Sequence, residues 1–170
     1  ELARPVFYIQ YLSHVLKILR CVCFKCGKLL LNKEKYKHVL EMNAKDRWDF
    51  VFDVASKIDT CGDENCDGCG FQQPNKIRKD GLATIYADWK PMKGEDGDEG
   101  KEEDKDKPEV THILRVTPEM CIKIFRRISD DDVNFMGFSS TFSRPDWMIC
   151  QVLAVPPPAV RPSVKHDAQQ

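Results

Sequence analysis

The feature that most constrains this chain is a pair of cysteine clusters, "RCVCFKCGKLL" at residues 20–30 and "CGDENCDGCGF" at residues 61–71. Each contains a two-residue-spaced pair closed by glycine, Cys23-x2-Cys26-Gly27 and Cys66-x2-Cys69-Gly70, with 39 residues between the pairs. That spacing lets two sulfurs reach one tetrahedral ion at about 2.3 Å. The glycine has its own meaning. A metal knuckle turns its backbone until amides point back at the thiolates, and the turn favours a residue that accepts positive φ. Two such units predict a four-thiolate structural site, with Zn2+ as the occupant in a reducing compartment. Nothing nearby supplies an open coordination position beside a base, so the expected ion is a staple and not a reaction centre.

The eight cysteines do not all fit that scheme. Cys21 stands two residues before Cys23, too close to share the knuckle, and is expected to pack at a helix end. Cys61 competes with Cys66, because its C-x4-C and C-x7-C spacings also suit a ligand; Cys66 is preferred and Cys61 is the alternative. Cys121 and Cys150 read as core cysteines on a helix and a strand. No secretory signal precedes the clusters, since "ELARPVFYIQYL" lacks a basic start, a clean apolar run and a small-residue cleavage site. Clustered cysteines without such a signal read as metal ligands before disulfides. The chain does not begin with methionine and is expected to be a piece of something longer.

Apolar periodicity divides the rest. Phe7, Ile9, Leu12, Val15, Leu16 and Leu19 predict a helix that runs into the first cluster after an extended start. A short helical piece is expected over residues 33–41. Asn43 caps a further helix with Trp48, Val51, Phe52, Ala55 and Ile58 on one stripe, which delivers the chain to the second cluster. Beyond it, "KIRKDGLATIYADWK" reads as a hairpin over residues 76–90, and "VTHILRV" as another strand. Thr117, Pro118 and Glu119 open a helix whose buried side carries Cys121, Ile124, Phe125 and Ile128. "SRPDWMICQVLAV" is expected to end as a buried strand, followed by extended "PPPAVRPS". The fold class is α+β: helices followed by β-hairpins around a zinc-stapled loop region. The expected division is a helical region with the double knuckle at 1–75 and a mixed hairpin and helix segment at 76–170.

Charge is uneven. The net charge is −1, yet residues 94–109, "GEDGDEGKEEDKDKPE", hold nine acids and three lysines, which leaves the remainder mildly basic. The acidic tract reads as a solvated, disordered loop at a hairpin tip that can be deleted with little loss of stability. A basic body is compatible with a nucleic-acid partner. Arg126, Arg127, Arg144 and Arg161 are the candidate phosphate contacts, together with the "KIRKDG" hairpin, against the plainer reading that arginines bridge acids such as those at 130–132. His14, His38, His112 and His166 show no ligand spacing with the cysteines. Trp48, Trp89 and Trp147 read as core anchors. No run of about 18 apolar residues exists, so no membrane partner is expected.

Read in order, "ILRCVCFKCGKLL", "GCGFQQPNKIRKDGL", "FSRPDWMI" and "VLAVPPPAVRPSV" resemble the N-terminal clamp-core region of the largest subunit of eukaryotic DNA-directed RNA polymerase II, over nearly the whole chain. The acidic tract is the main unmatched segment, and Ala154 departs from the usual proline. The resemblance implies a nuclear nucleotidyltransferase complex whose mobile clamp closes over DNA and the RNA–DNA hybrid. It implies as partners the other polymerase subunits and the rest of the largest subunit. It implies a zinc held by residues matching Cys23, Cys26 and Cys69, the fourth matching Cys61 in polymerase II sequences and Cys66 in archaeal relatives. The motif that holds catalytic Mg2+ is not in this stretch, so no catalytic residue and no Mg2+ site is expected here. A free-standing zinc-ribbon adaptor that binds nucleic acid or protein, and a redox protein using its paired cysteines, remain the alternatives.

Overall fold

The computed structural model describes residues 1–63, 67–90 and 112–163; the acidic tract and Cys66 lie outside them. Strand β1 (Val6–Phe7) leads through a 3-10 turn at Ile9–Tyr11 into helix α1 (Leu12–Cys21). A second 3-10 turn, Lys37–Glu41, occupies the C-terminal half of the stretch expected to be helical, and helix α2 (Ala44–Ala55) follows. Asn43 caps α2 as its sequence suggests: its side-chain oxygen accepts from the Asp46 amide at 2.9 Å.

Strands β2 (Lys76–Asp80), β3 (Thr84–Trp89) and β4 (His112–Val116) form one antiparallel sheet in the order β2-β3-β4. Gly81 turns the hairpin at φ +60, a conformation that L side chains seldom adopt. Register places Arg78 opposite Tyr86 and Tyr86 opposite Arg115. The other face turns Ile77, Ile85, Ala87 and Val116 inward, all buried. Helix α3 (Pro118–Arg126) begins with Thr117 accepting from the Met120 amide at 3.3 Å and with proline at its first turn. Its buried side carries Cys121, Ile124 and Phe125, with Ile128 just beyond its end.

A short helix not read from the sequence, α4 (Asp130–Phe135), follows Ser129, whose hydroxyl accepts from the Asp132 amide. Its start carries a helix signal, a serine before three acids, which the sequence reading treats only as acids for arginines to bridge. After a 3-10 turn at Pro145–Met148, strand β5 (Ile149–Cys150) pairs antiparallel with β1. The expected buried strand through residue 155 is cut to these two residues. β1 offers only two partners, and Val152, Leu153 and Val155 stand exposed. Trp147 is likewise exposed, while Trp48 and Trp89 pack against the core as expected.

One buried cluster joins Leu12, Val15 and Ile18 of α1, Val51 of α2, Ile85 of the sheet and Phe125 of α3. Each such side chain contributes about 1.5–3 kcal/mol on burial. Cys21, Cys23 and Cys61 join this core where α1 ends and where the chain leaves α2 for the sheet.

Candidate metal centre

Helix α1 stops at Cys21, and Val22 turns extended to bridge Leu29. The chain between them closes on itself: the Cys23 amide donates to the Lys28 carbonyl at 2.9 Å, and the Gly27 amide donates to the Cys23 carbonyl at 2.9 Å. Gly27 sits at φ +75, and a Cβ there would fall 2.6 Å from the Cβ of Arg127. Both the backbone and the space therefore require glycine.

The second half repeats this closure. Thr60 bridges Gln72, the Cys61 amide donates to the Phe71 carbonyl at 3.0 Å, and the Gly70 amide donates to the Cys61 carbonyl at 2.9 Å. Gly70 sits at φ +73. The glycine after the second cysteine thus closes on Cys61 just as Gly27 closes on Cys23, across a C-x7-C spacing.

These two turns bring four sulfurs together. The Sγ atoms of Cys23, Cys26, Cys61 and Cys69 all lie within 4.8 Å of one another. Cys23 and Cys69 are separated by 3.5 Å, and Cys26 and Cys61 by 3.6 Å. Four thiolates at about 2.3 Å from a tetrahedral ion sit about 3.8 Å apart, so the cluster fits a four-sulfur metal site. No other group of three or more potential ligands comes together among the described residues.

The sulfurs are not equivalent. Cys69 is exposed and Cys23 fully buried. Burial pushes the Cys23 thiol up, but the amides of Cys26 and Lys25 and the Gln73 side chain more than reverse it, and its pKa falls to about 7. Cys61 has fewer such donors, and burial carries it up to about 12. Lys28 adds a cation at the edge, donating to the Asp67 carbonyl at 2.7 Å and pairing with its carboxylate at 3.2 Å.

Gln73 was not singled out by the sequence. It is 5% exposed, accepts from the Phe24 amide at 3.0 Å, and donates to the Phe71 carbonyl at 2.9 Å and to Cys23 Sγ at 3.3 Å. Asp132, read from the sequence only as an acid for an arginine to bridge, has other partners. Its buried carboxylate accepts from the Leu29 amide at 3.1 Å and from Lys33 at 2.6 Å, which ties α4 to the chain leaving the first knuckle.

Of the arginines considered for phosphate contact, Arg126 reaches Gln151 at 3.2 Å and Arg127 donates to the Lys25 carbonyl at 2.6 Å. Arg161 is exposed. Arg144 is turned inward: its side chain is 15% exposed, it pairs with Asp146 and Asp130, and it donates to the carbonyls of Phe125 and Ile128. In the hairpin, Arg78 stacks over the Tyr86 ring at 4.7 Å and pairs with Asp88 at 3.0 Å. Cys21, Cys121 and Cys150 are buried away from the four-sulfur cluster.

The family model described as RNA polymerase Rpb1, domain 1, matches residues 1–170. The DNA-directed RNA polymerase II subunit RPB1 of Euplotoides octocarinatus is 38% identical over 174 residues, covering 96% of this chain and 34% of that protein. The chain therefore spans about a third of the length of the relative it matches.

Proposed function

Because the chain belongs to the Rpb1 domain 1 family of RNA polymerase largest subunits, we propose that it supplies the metal-stapled clamp core of a nuclear DNA-directed RNA polymerase II. In this reading Cys23, Cys26, Cys61 and Cys69 hold one structural Zn2+. The convergence of their four sulfurs from two distant segments is the observation that carries the reading. Thiolates of this number and spacing select zinc over harder cations. When bound, the ion supplies no reaction step; it locks two backbone turns that neither segment could hold rigid alone.

The stapled body has a mechanical job in the assembled enzyme. It joins the end of α1, the exit of α2 and the start of the sheet, so it forms one stiff part of a clamp that encloses DNA and the RNA–DNA hybrid. Its partners are the remainder of the largest subunit and the other polymerase subunits. Catalytic Mg2+ and nucleotide addition belong to other parts of the enzyme. Arg126, Arg127 and Arg161 remain the arginines best placed to meet phosphates, while Arg144 has its donors taken up internally.

The test is Cys61→Ser in the full-length subunit of an assembled polymerase. Stalled elongation complexes should dissociate at lower salt than the parent's, with the rate of single nucleotide addition retained in complexes that survive. Parent-like salt resistance in an enzyme shown to have lost the ion at this site would reject the clamp role of the staple.

A further inference from the structure

We infer that Gln73 is a positioning residue for the metal, holding the Cys23 sulfur through an N–H···S bond; the inference rests on the four-thiolate reading. The orientation of the amide is fixed by its neighbours. The Phe24 amide can only donate, so the oxygen of Gln73 faces it at 3.0 Å. The Phe71 carbonyl can only accept, so the nitrogen faces it at 2.9 Å. That nitrogen has two hydrogens, and the second points at Cys23 Sγ, 3.3 Å away.

The backbone around it is pinned as well. The Gln73 amide donates to the Asp59 carbonyl at 2.6 Å, and the Trp89 indole donates to the Gln72 carbonyl at 3.0 Å. One buried side chain thereby touches the first knuckle at Phe24, the second at Phe71, and a sulfur of the cluster. The Lys25 amide also reaches the Cys23 sulfur, at 3.4 Å.

Cys23 thus receives the Gln73 side chain beside backbone amides in a buried setting, while Cys69 stands exposed. Donors to a metal-bound thiolate withdraw charge from the sulfur and fix its direction, and outer partners of this kind commonly change metal affinity by about 10–100-fold. Gln73 makes Cys23 the last sulfur to leave the ion, so a chelator enters from the Cys69 side.

The experiment uses the chain loaded with Co2+, with Gln73→Glu and Gln73→Met compared to the parent. Glutamate keeps an acceptor for Phe24 and loses the donor to sulfur; methionine keeps the volume and loses both. The expected result is one ion per chain in every variant, release to a chelator faster by about 10–100-fold, and a sulfur-to-cobalt charge-transfer band moved to lower energy. A role in packing alone would leave the band in place, so an unmoved band with parent-like release overturns the inference. Should neither variant fold, the parent loaded with 113Cd decides: scalar coupling between the ion and a Gln73 side-chain proton is expected, and its absence overturns the inference. A folded parent that takes up no ion at all refutes the four-thiolate reading, and this inference falls with it.

Discussion

Arg144→Ala should cost the fold about 3 kcal/mol, although it removes a residue that the sequence marks as a candidate phosphate contact. The guanidinium is 15% exposed and the Asp146 carboxylate 14%, at 2.8 Å. Truncation leaves Asp146 without its cation in a half-dry site, and breaking a buried pair costs about 3–5 kcal/mol. It also strips the donor from the Ile128 carbonyl at 2.9 Å, just past the end of α3, whereas the Phe125 carbonyl, 3.2 Å from the guanidinium, keeps the Ile128 amide at 3.1 Å. The Asp130 partner adds little, because its side chain is 70% exposed and solvent screens it. Incomplete burial of the Asp146 pair brings the total to the lower end of that range. Urea unfolding of the metal-saturated chain, followed by circular dichroism, measures the cost. Arg144→Lys keeps the charge without the fork and should cost about half as much. The double variant Arg144→Ala/Asp146→Ala should be more stable than the sum of the two single losses implies. A loss below about 1 kcal/mol for Arg144→Ala, or strict additivity in the cycle, would refute the assignment of Arg144 to internal bracing.

Three further outcomes follow from the same geometry. Gly27→Ala forces an L side chain into φ +75 against Arg127 and should destabilise the loaded chain by about 3 kcal/mol in the same urea assay. Asp132→Ala leaves the buried Leu29 amide without its acceptor and should cost about 2 kcal/mol, whereas Asp132→Asn, which can still accept, should cost less. Burial pushes the Cys121 thiol well up, so its contribution is intact below the ordinary thiol pKa of about 8.5 and declines as pH rises beyond it. Thermal unfolding should therefore show a smaller drop between pH 8 and pH 10 in Cys121→Val than in the parent.

The sequence carried the local grammar well. Asn43 and Thr117 cap the helices they precede, the "DG" pair turns the hairpin at Gly81, and the glycines after Cys26 and Cys69 adopt the positive φ that a knuckle requires. The clustered cysteines predicted that sulfurs from two distant segments should converge, and roughly where. The partner that Gly70 closes on was not readable, because C-x2-C and C-x7-C both satisfy the spacing rule. Only the ribbon pairing of Thr60 with Gln72 and Cys61 with Phe71 brings Cys61 to the other three sulfurs. The roles of Gln73 and Asp132 were invisible for a related reason. Each acts on groups far along the chain, Gln73 on Phe24 and Asp132 on Leu29, and periodicity holds no information about such contacts. The exposed run after Cys150 failed in the opposite sense. Its apolar residues look like a strand, but strand formation needs a partner, and β1 supplies only two residues.

The central claim, one zinc held by Cys23, Cys26, Cys61 and Cys69, is tested most directly by elemental analysis and zinc-edge X-ray absorption on the purified chain and its Cys61→Ser and Cys66→Ser variants. The account predicts one zinc with four sulfurs at about 2.3 Å in the parent and in Cys66→Ser, and loss of the ion or of a sulfur in Cys61→Ser. A four-sulfur site that survives Cys61→Ser but collapses in Cys66→Ser would contradict it, as would a folded parent that holds no zinc.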